Sequence, residues 1–141
     1  MHYELISADW NAEPNDPDIK LSVNGNTVTL EFYLNYFQFE RFTEGEKGLL
    51  IFHNCHKYAL NSMNDEGYYQ GNYRYTQQDL PWGEFYKLET NWEIDFPSPN
   101  HKISIIASTR LNHYIFFFRD NTFECVAEKF SLKFIKDIEA A

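Results

Sequence analysis

Three residues of types that bind metal ions lie close together, at His53, Cys55 and His56. Imidazole and thiolate groups are zinc ligands, and alternate residues of a strand share one face, so His53 and Cys55 would point the same way. A structural zinc site needs about four such ligands. The remaining ligands would have to come from His101, His113 or Cys125. Their spacing supports no zinc motif, so we expect neither a metal ion nor another cofactor.

Motifs of nucleophilic catalysis are missing from the chain. It has no Gly-x-Ser-x-Gly elbow, no glycine-rich phosphate loop and no His-Glu-x-x-His sequence. Ser104, Ser108 and Thr109 precede His113, but such proximity is common by chance. A hydrolase could use two of the 21 acidic residues, yet it needs them at a fixed separation across a cleft. The sequence therefore favours a non-catalytic protein over a hydrolase that uses dispersed acidic residues.

Residues 64–92 form an aromatic segment in which the rings alternate with Asn, Gln, Asp and Glu. Flat rings beside planar polar groups can stack on sugars or other small ligands, and they can also anchor a protein interface. The candidate binding residues are Tyr68, Tyr69, Tyr73, Arg74, Tyr75, Trp82, Tyr86 and Trp92. The alternative is that these rings fill a second small core beneath a long loop.

Charge limits the classes of partner. The formal net charge is −9, and the acidic residues are spread along the chain without an offsetting basic cluster. Phosphate backbones would be repelled, so we expect no nucleic-acid partner. No apolar run approaches the roughly 20 residues of a membrane helix, so we expect no membrane partner. The sequence favours a basic protein partner, bound through an acidic, aromatic-bearing face, with a small molecule or carbohydrate as the alternative ligand.

Cysteine usage and the first residues favour a cytoplasmic protein. The start, residues 1–4, has no basic region followed by an apolar one, and the chain contains no Asn-x-Ser/Thr acceptor. Only Cys55 and Cys125 could form a disulfide. A disulfide-dependent secreted scaffold usually carries more cysteines, so we expect two free, buried thiols.

The clearest element is a hairpin at residues 18–35. Apolar and polar residues alternate on both sides of Asn24-Gly25, a sequence typical of a type I′ turn. A two-residue loop at this position pairs Leu21 with Val28, and it places the apolar side chains on one face.

A second hairpin is predicted around Asp120-Asn121. This loop pairs Phe118 with Phe123 and Phe116 with Cys125, and it places an apolar face in the core. Phe117 and Glu124 would then lie on a mixed face that is only partly covered.

Fold class follows from about nine strand candidates at spacings near 8–12 residues and from the lack of an amphipathic helix. The 141 residues suit one domain, covering residues 1–141. This pattern predicts a single-domain, mainly β protein, an antiparallel β-sandwich or barrel with little helix. Trp10, inside a polar loop, is expected to pack back onto the core.

Overall fold

The computed structural model describes residues 2–61, 80–90, 92, 101–102 and 111–136. Apart from Trp92, which is helical, the regular secondary structure in these ranges consists of strands. The strands are β1 (His2–Leu5), β2 (Lys20–Asn24), β3 (Thr27–Tyr33), β4 (Lys47–Asn61), β5 (Phe85–Glu89), β6 (His101–Lys102), β7 (Asn112–Phe117) and β8 (Thr122–Ile135).

The strands form one antiparallel sheet in the order β1-β5-β7-β8-β4-β3-β2, and β6 pairs with β4. The predicted mainly β, antiparallel architecture is confirmed. The nine strands and the sandwich or barrel are not confirmed, because eight strands lie in the described ranges and the outer strands β1 and β2 do not pair with each other. One reason for the lower count is that β4, with 15 residues, runs continuously through residues 49–52 and 58–60, which the sequence predicts as two separate short strands.

The two longest strands, β4 and β8, bend together at Asn54. Phe52 pairs with Phe130 on the core side before the bend, and Cys55 pairs with Ala127 on the core side after it. On each strand, two residues instead of the usual one lie between these successive core positions. The alternation of core-facing and outward-facing side chains is therefore out of phase on the two sides of Asn54. Asn54 adopts a left-handed conformation with φ of 49°. A β-bulge between Cys55 and Lys57 follows directly and adds to the change of direction.

The bend folds the sheet back on itself. The ring centroids of Phe32 on β3 and Phe116 on β7 are 5.3 Å apart, although β4 and β8 lie between these strands in the sheet order. In a flat sheet they would be about 14 Å apart across the strands and about 40 Å apart along them, because Phe32 lies opposite Gly48 whereas Phe116 lies, through Phe123, at the level of Leu60. Trp10 packs against both rings, with its ring centroid 5.9 Å from that of Phe32 and 5.8 Å from that of Phe116. The prediction that Trp10 packs onto the core is confirmed.

A segment of the chain, residues 7–13, crosses from the β5 side of the folded sheet to the β3 side, and we call it the crossing segment. At the β5 end, the Asn11 amide donates to the Gly83 carbonyl at 2.6 Å. At the β3 end, the Asn11 carbonyl accepts from the Asn35 backbone N–H at 2.9 Å, and Ala12 forms a bridge with Leu34. The crossing segment therefore holds the two sides together next to Trp10.

The register of the first hairpin differs from the prediction by two residues. Leu21 pairs with Leu30, so its predicted pairing with Val28 is wrong. The turn is formed by residues 25–26, not by Asn24-Gly25, because Gly25 has a positive φ of 63° and Asn24 does not. Glycine at the first central position is typical of a type II′ turn, not type I′. A shift of two residues keeps each side chain on its predicted face.

The second hairpin shows the same kind of shift. Phe116 pairs with Phe123, not with Cys125, and the loop contains four residues, 118–121. The Phe118 N–H donates to the Asn121 carbonyl at 2.8 Å, a hydrogen bond that joins the two ends of the loop. The Phe118 ring still belongs to the main core, so the predicted apolar face is confirmed.

The other face of this hairpin is buried, so the prediction of a partly covered face is wrong. Ile115, Phe117 and Glu124 are all buried there. Leu80, Tyr86 and Leu88 join Ile115 and Phe117 in a second apolar cluster, and Trp82 packs against it. β7 and the first half of β8 therefore have a core on both sides.

The left-handed conformation of Asn54 predicts an unusual mutational pattern. Asn54→Ala should cost about 1–2 kcal/mol of backbone strain, in addition to its lost side-chain hydrogen bonds at about 0.5–1.5 kcal/mol each. Asn54→Gly loses the hydrogen bonds but not the permitted backbone conformation, so it should be the more stable variant in urea unfolding. At Asn24, whose φ is not positive, alanine should be the more stable of the two. If the alanine and glycine variants had the same order of stability at Asn54 and at Asn24, the bend at Asn54 would be contradicted.

Burial on both faces of β7 predicts similar costs for its two central phenylalanines. Phe116→Ala and Phe117→Ala should each lower the free energy of unfolding by about 3–5 kcal/mol, through lost transfer energy and a cavity. Chemical denaturation of both variants measures this. A Phe117 variant close to the wild type would mean that its face is wet.

Candidate functional site

A histidine and a glutamate form a buried pair between β7 and β8. His113 Nε2 lies 2.5 Å from Glu124 Oε2, and the two side chains are 1% and 0% exposed. Glu124 lies opposite Ile115, and His113 is two residues before Ile115 in β7, so His113 and Glu124 form a diagonal contact on one face. Buried charged groups are normally paired in this way, because an isolated charge is costly to remove from water.

A hydroxyl extends this pair into a chain of three residues. Thr90 follows β5, and its Oγ1 lies 2.6 Å from His113 Nδ1. An ionised carboxylate only accepts hydrogen bonds, so Nε2 of His113 donates to Glu124. In a neutral ring Nδ1 accepts from the Thr90 hydroxyl, and in a protonated ring Nδ1 donates to Thr90 Oγ1.

An open cavity of about 640 Å³ lies beside this chain, and we call it the Trp92 cavity. It is lined by Lys87, Leu88, Glu89, Thr90, Trp92, Leu111, Asn112 and His113. Its volume falls within the roughly 300–1,000 Å³ of small-molecule sites. The Trp92 ring lies 5.7 Å from the His56 ring, and Lys57 Nζ lies 5.3 Å from the Trp92 centroid. The cavity therefore combines an aromatic wall with several polar groups.

A second concave surface lies near the start of β4, and we call it the acidic depression. Its volume is about 290 Å³, and it is lined by Glu13, Asp16, Tyr33, Leu34, Tyr36, Glu44 and Gly45. The pKa of Tyr36 is raised, first by partial desolvation and then by the negative charges of Glu44 and Glu13. Phe37, 59% exposed, lies beside Tyr36 with ring centroids 4.3 Å apart. Negative charge and aromatic surface thus occur together.

Of the eight binding residues predicted from sequence, five lie outside the described residues: Tyr68, Tyr69, Tyr73, Arg74 and Tyr75. Trp82 is half-buried, with its ring centroid 4.7 Å from that of Phe117. Tyr86 is 2% exposed, and its hydroxyl donates to the Pro81 carbonyl at 2.8 Å. Trp92 is half-buried and lines the Trp92 cavity. The binding role of the set stays a prediction.

The three residues of the possible metal motif do not share a face. His53 lies on the outer side, where its Nε2 is 2.8 Å from Ser131 Oγ, whereas Cys55 is in the main core. The bend at Asn54 separates them. No group of three or more potential ligands occurs in the part of the chain that the structure describes. Cys55 and Cys125 are both free and buried, and burial raises the pKa of the Cys125 thiol well above its ordinary value.

Sequence reasoning missed the Thr90, His113 and Glu124 chain. Glu124 was expected on a partly wet face, where a carboxylate needs no partner. The available signal was a single acidic residue inside the β-prone run 122–127, which implies either a wet position or a buried partner.

Comparisons with known proteins identify no relative: no family model, curated protein sequence or solved structure matches the chain. Within the described ranges, no helix has the length and apolar character needed to cross a membrane.

The buried His113–Glu124 pair predicts strong coupling. His113→Leu leaves the Glu124 carboxylate buried without this donor and should cost about 3–5 kcal/mol. Adding Glu124→Met removes the buried charge and should recover part of the loss, which a double-mutant cycle in urea measures. The partly exposed pair of Lys47 and Glu31, 3.2 Å apart, is the control and should couple by less than about 1 kcal/mol. Additive effects at His113 and Glu124 would contradict a coupled pair.

Proposed function

We propose that this protein is a non-catalytic binding protein that holds a basic protein partner through the acidic depression. The observation that carries the proposal is the position of Glu13, Asp16 and Glu44 around Tyr33 and Tyr36 in one concave surface. The net charge of −9 acts in the same direction. The chain would work as one domain in the cytoplasm, and the two free, buried thiols are consistent with a reducing compartment.

Electrostatics gives the depression its selectivity for basic groups. Clefts lined by one sign of charge concentrate the potential and raise the association rate of an oppositely charged partner. The pKa of Tyr36 is raised first by desolvation and then by Glu44 and Glu13, and these two carboxylate contributions have the sign of a negative local potential. An arginine or lysine side chain of the partner would therefore be drawn to this surface.

Aromatic groups supply the contact area. The guanidinium group of arginine stacks on aromatic faces and also forms charge-assisted hydrogen bonds with carboxylates. A depression of about 290 Å³ suits a single side chain rather than a large ligand. Phe37, exposed beside Tyr36, would add an apolar anchor at the rim. Such anchors usually govern dissociation, whereas distributed charge governs association.

A small molecule or carbohydrate is the second candidate ligand, and the Trp92 cavity favours it. The cavity has a suitable volume, and Trp92, at the end of the aromatic segment 64–92, lines it. A ligand that binds beside Trp92 should change its fluorescence.

The binding proposal is tested by affinity capture from a lysate of the source organism, followed by kinetics with the captured protein. We expect a basic protein whose association slows as salt is raised, because screening shortens the range of steering to about 8–10 Å. The double variant Asp16→Asn/Glu44→Gln should slow association. Phe37→Ser should speed dissociation without changing the salt dependence.

Matched controls separate the depression from net charge. Glu4→Gln/Glu89→Gln removes the same charge from exposed positions on β1 and β5 and should have a smaller effect. Val23→Ser removes an exposed apolar residue from β2 and should not affect dissociation. Equal effects of the two charge pairs would reduce the proposal to nonspecific attraction. Capture of no basic protein, together with a metabolite or glycan that quenches tryptophan emission, would favour the small-ligand alternative.

A further inference from the structure

We propose that a third concave surface binds a small organic carboxylate through Arg119 and Gln38. This surface is a cavity of about 280 Å³, and we call it the Trp82 cavity. It lies beside the crossing segment, between the loop that precedes β5 and the loop that follows β7. The inference goes beyond the binding of a basic protein and does not depend on it, although Glu13 borders both the Trp82 cavity and the acidic depression.

Hydrogen bonds around Asn35 determine which polar group Gln38 offers to the cavity. The backbone N–H groups of Phe37 and Gln38 both donate to Asn35 Oδ1, at 3.2 Å each. Because only the oxygen of an amide side chain accepts, the Asn35 NH₂ group is turned towards Gln38 and donates to Gln38 Oε1 at 3.3 Å. Gln38 Oε1 is thereby engaged, and the Gln38 NH₂ group carries donors that no described residue uses. The complementary group on a ligand is therefore an acceptor.

Arg119 adds a positive charge to the same cavity. Its Nη1 donates to the Asn15 carbonyl at 3.3 Å, and no carboxylate in the described part of the chain forms an ion pair with it. Glu13, an acidic residue of the lining, directs its two oxygens to the backbone N–H groups of Asn15 and Asp16, at 2.9 and 3.0 Å. A guanidinium group has five donors in a planar fork that matches a carboxylate. Arg119 and Gln38 together therefore favour an anionic acceptor.

Aromatic rings supply the apolar part of the lining, which favours an organic ligand over an inorganic anion. The Trp82 ring is half-buried and lies against Phe117, with ring centroids 4.7 Å apart, and Phe118 also lines the cavity. Gly83 has a φ of 94°, and no atom lies within 4 Å of the position that a Cβ would take, so a ligand can approach the backbone closely there. Phosphate or sulfate would use the donors but would leave these rings in contact with water.

Size and charge limit the ligand further. The volume of about 280 Å³ is close to the lower end of the roughly 300–1,000 Å³ of small-molecule sites, so it suits a molecule of the size of benzoate. The net charge of −9 repels anions at long range. The affinity must therefore come from short-range contacts with Arg119, Gln38 and the rings.

The test titrates the isotope-labelled full chain with benzoate and follows its amide signals by nuclear magnetic resonance. We expect saturable shifts at the Gly83 N–H and at the side-chain NH₂ group of Gln38. Benzamide, a neutral molecule of nearly the same shape, should bind about 10–100-fold more weakly, because it lacks the charge that strengthens hydrogen bonds to Arg119. Inorganic phosphate should cause no saturable shift at either position, because it makes no contact with the rings.

Three variants assign the contacts. Gln38→Glu keeps the side-chain shape and the acceptor for Asn35 but replaces the donors with a negative charge, so benzoate binding should be lost. Arg119→Gln should remove the preference for benzoate over benzamide. Arg41→Gln is the matched control, because it removes the same charge from an exposed arginine outside the cavity, and it should leave both affinities unchanged.

Circular dichroism establishes that each variant is folded, and the comparison of benzoate with benzamide needs no variant at all. Absence of saturable benzoate binding would overturn the proposal, as would shifts confined to residues outside the Trp82 cavity. Equal binding of benzoate and benzamide by the wild type would show that no charge is recognised, and an undiminished preference in Arg119→Gln would show that Arg119 is not the group that recognises it. Either result contradicts the proposal. None of these measurements involves a basic protein, so their failure would leave the role of the acidic depression open to its own test.

Discussion

The bend of β4 and β8 at Asn54 is the constraint on which the rest of the structure depends. Asparagine tolerates the left-handed conformation better than most residues, and its side chain fixes it further. The Asn54 amide donates to Glu128 Oε1 at 2.5 Å, and its carbonyl accepts from the Asn26 amide at 2.9 Å. This one residue thus joins the β2–β3 turn to β8. Without the bend, Phe32 and Phe116 would lie on distant parts of a flat sheet, with no shared core for Trp10.

The same bend links the fold to the Trp92 cavity. Asn112, which lines the cavity, donates from its side chain to the Glu128 carbonyl at 2.8 Å. Glu128 also receives the Asn54 hydrogen bond, so the corner of the sheet and the wall of the cavity share a residue. The acidic depression lies towards the other end of β4 and is shaped by loops instead. The two concave surfaces therefore rest on different parts of the framework, one on paired strands and one on turns.

Alternation of residue types was enough to predict the strands of both hairpins and the face that each apolar side chain occupies. It could not predict register, because a shift of two residues preserves every face and only the turn geometry decides between the alternatives. The observed registers go with the positive φ of Gly25 in the first hairpin and with the hydrogen bond from the Phe118 N–H to the Asn121 carbonyl in the second. The residues of the candidate site were harder to predict from the sequence than the strands. Thr90 and His113 are 23 residues apart, and the partner of Glu124 becomes visible only when strand pairing is known. Of the three predicted binding residues that the structure describes, Trp82, Tyr86 and Trp92, only Trp92 lines the Trp92 cavity.

The order of strands in the sheet also has a kinetic consequence. The β2–β3 and β7–β8 hairpins join neighbours in sequence, so each can form locally within microseconds. β1, by contrast, pairs His2 with Glu89, which requires closure of most of the chain. Loop-closure entropy opposes such contacts until their surroundings have assembled, and proteins rich in them fold in milliseconds to seconds. β1 is therefore expected to be among the last strands to pair, together with the crossing segment and Trp10.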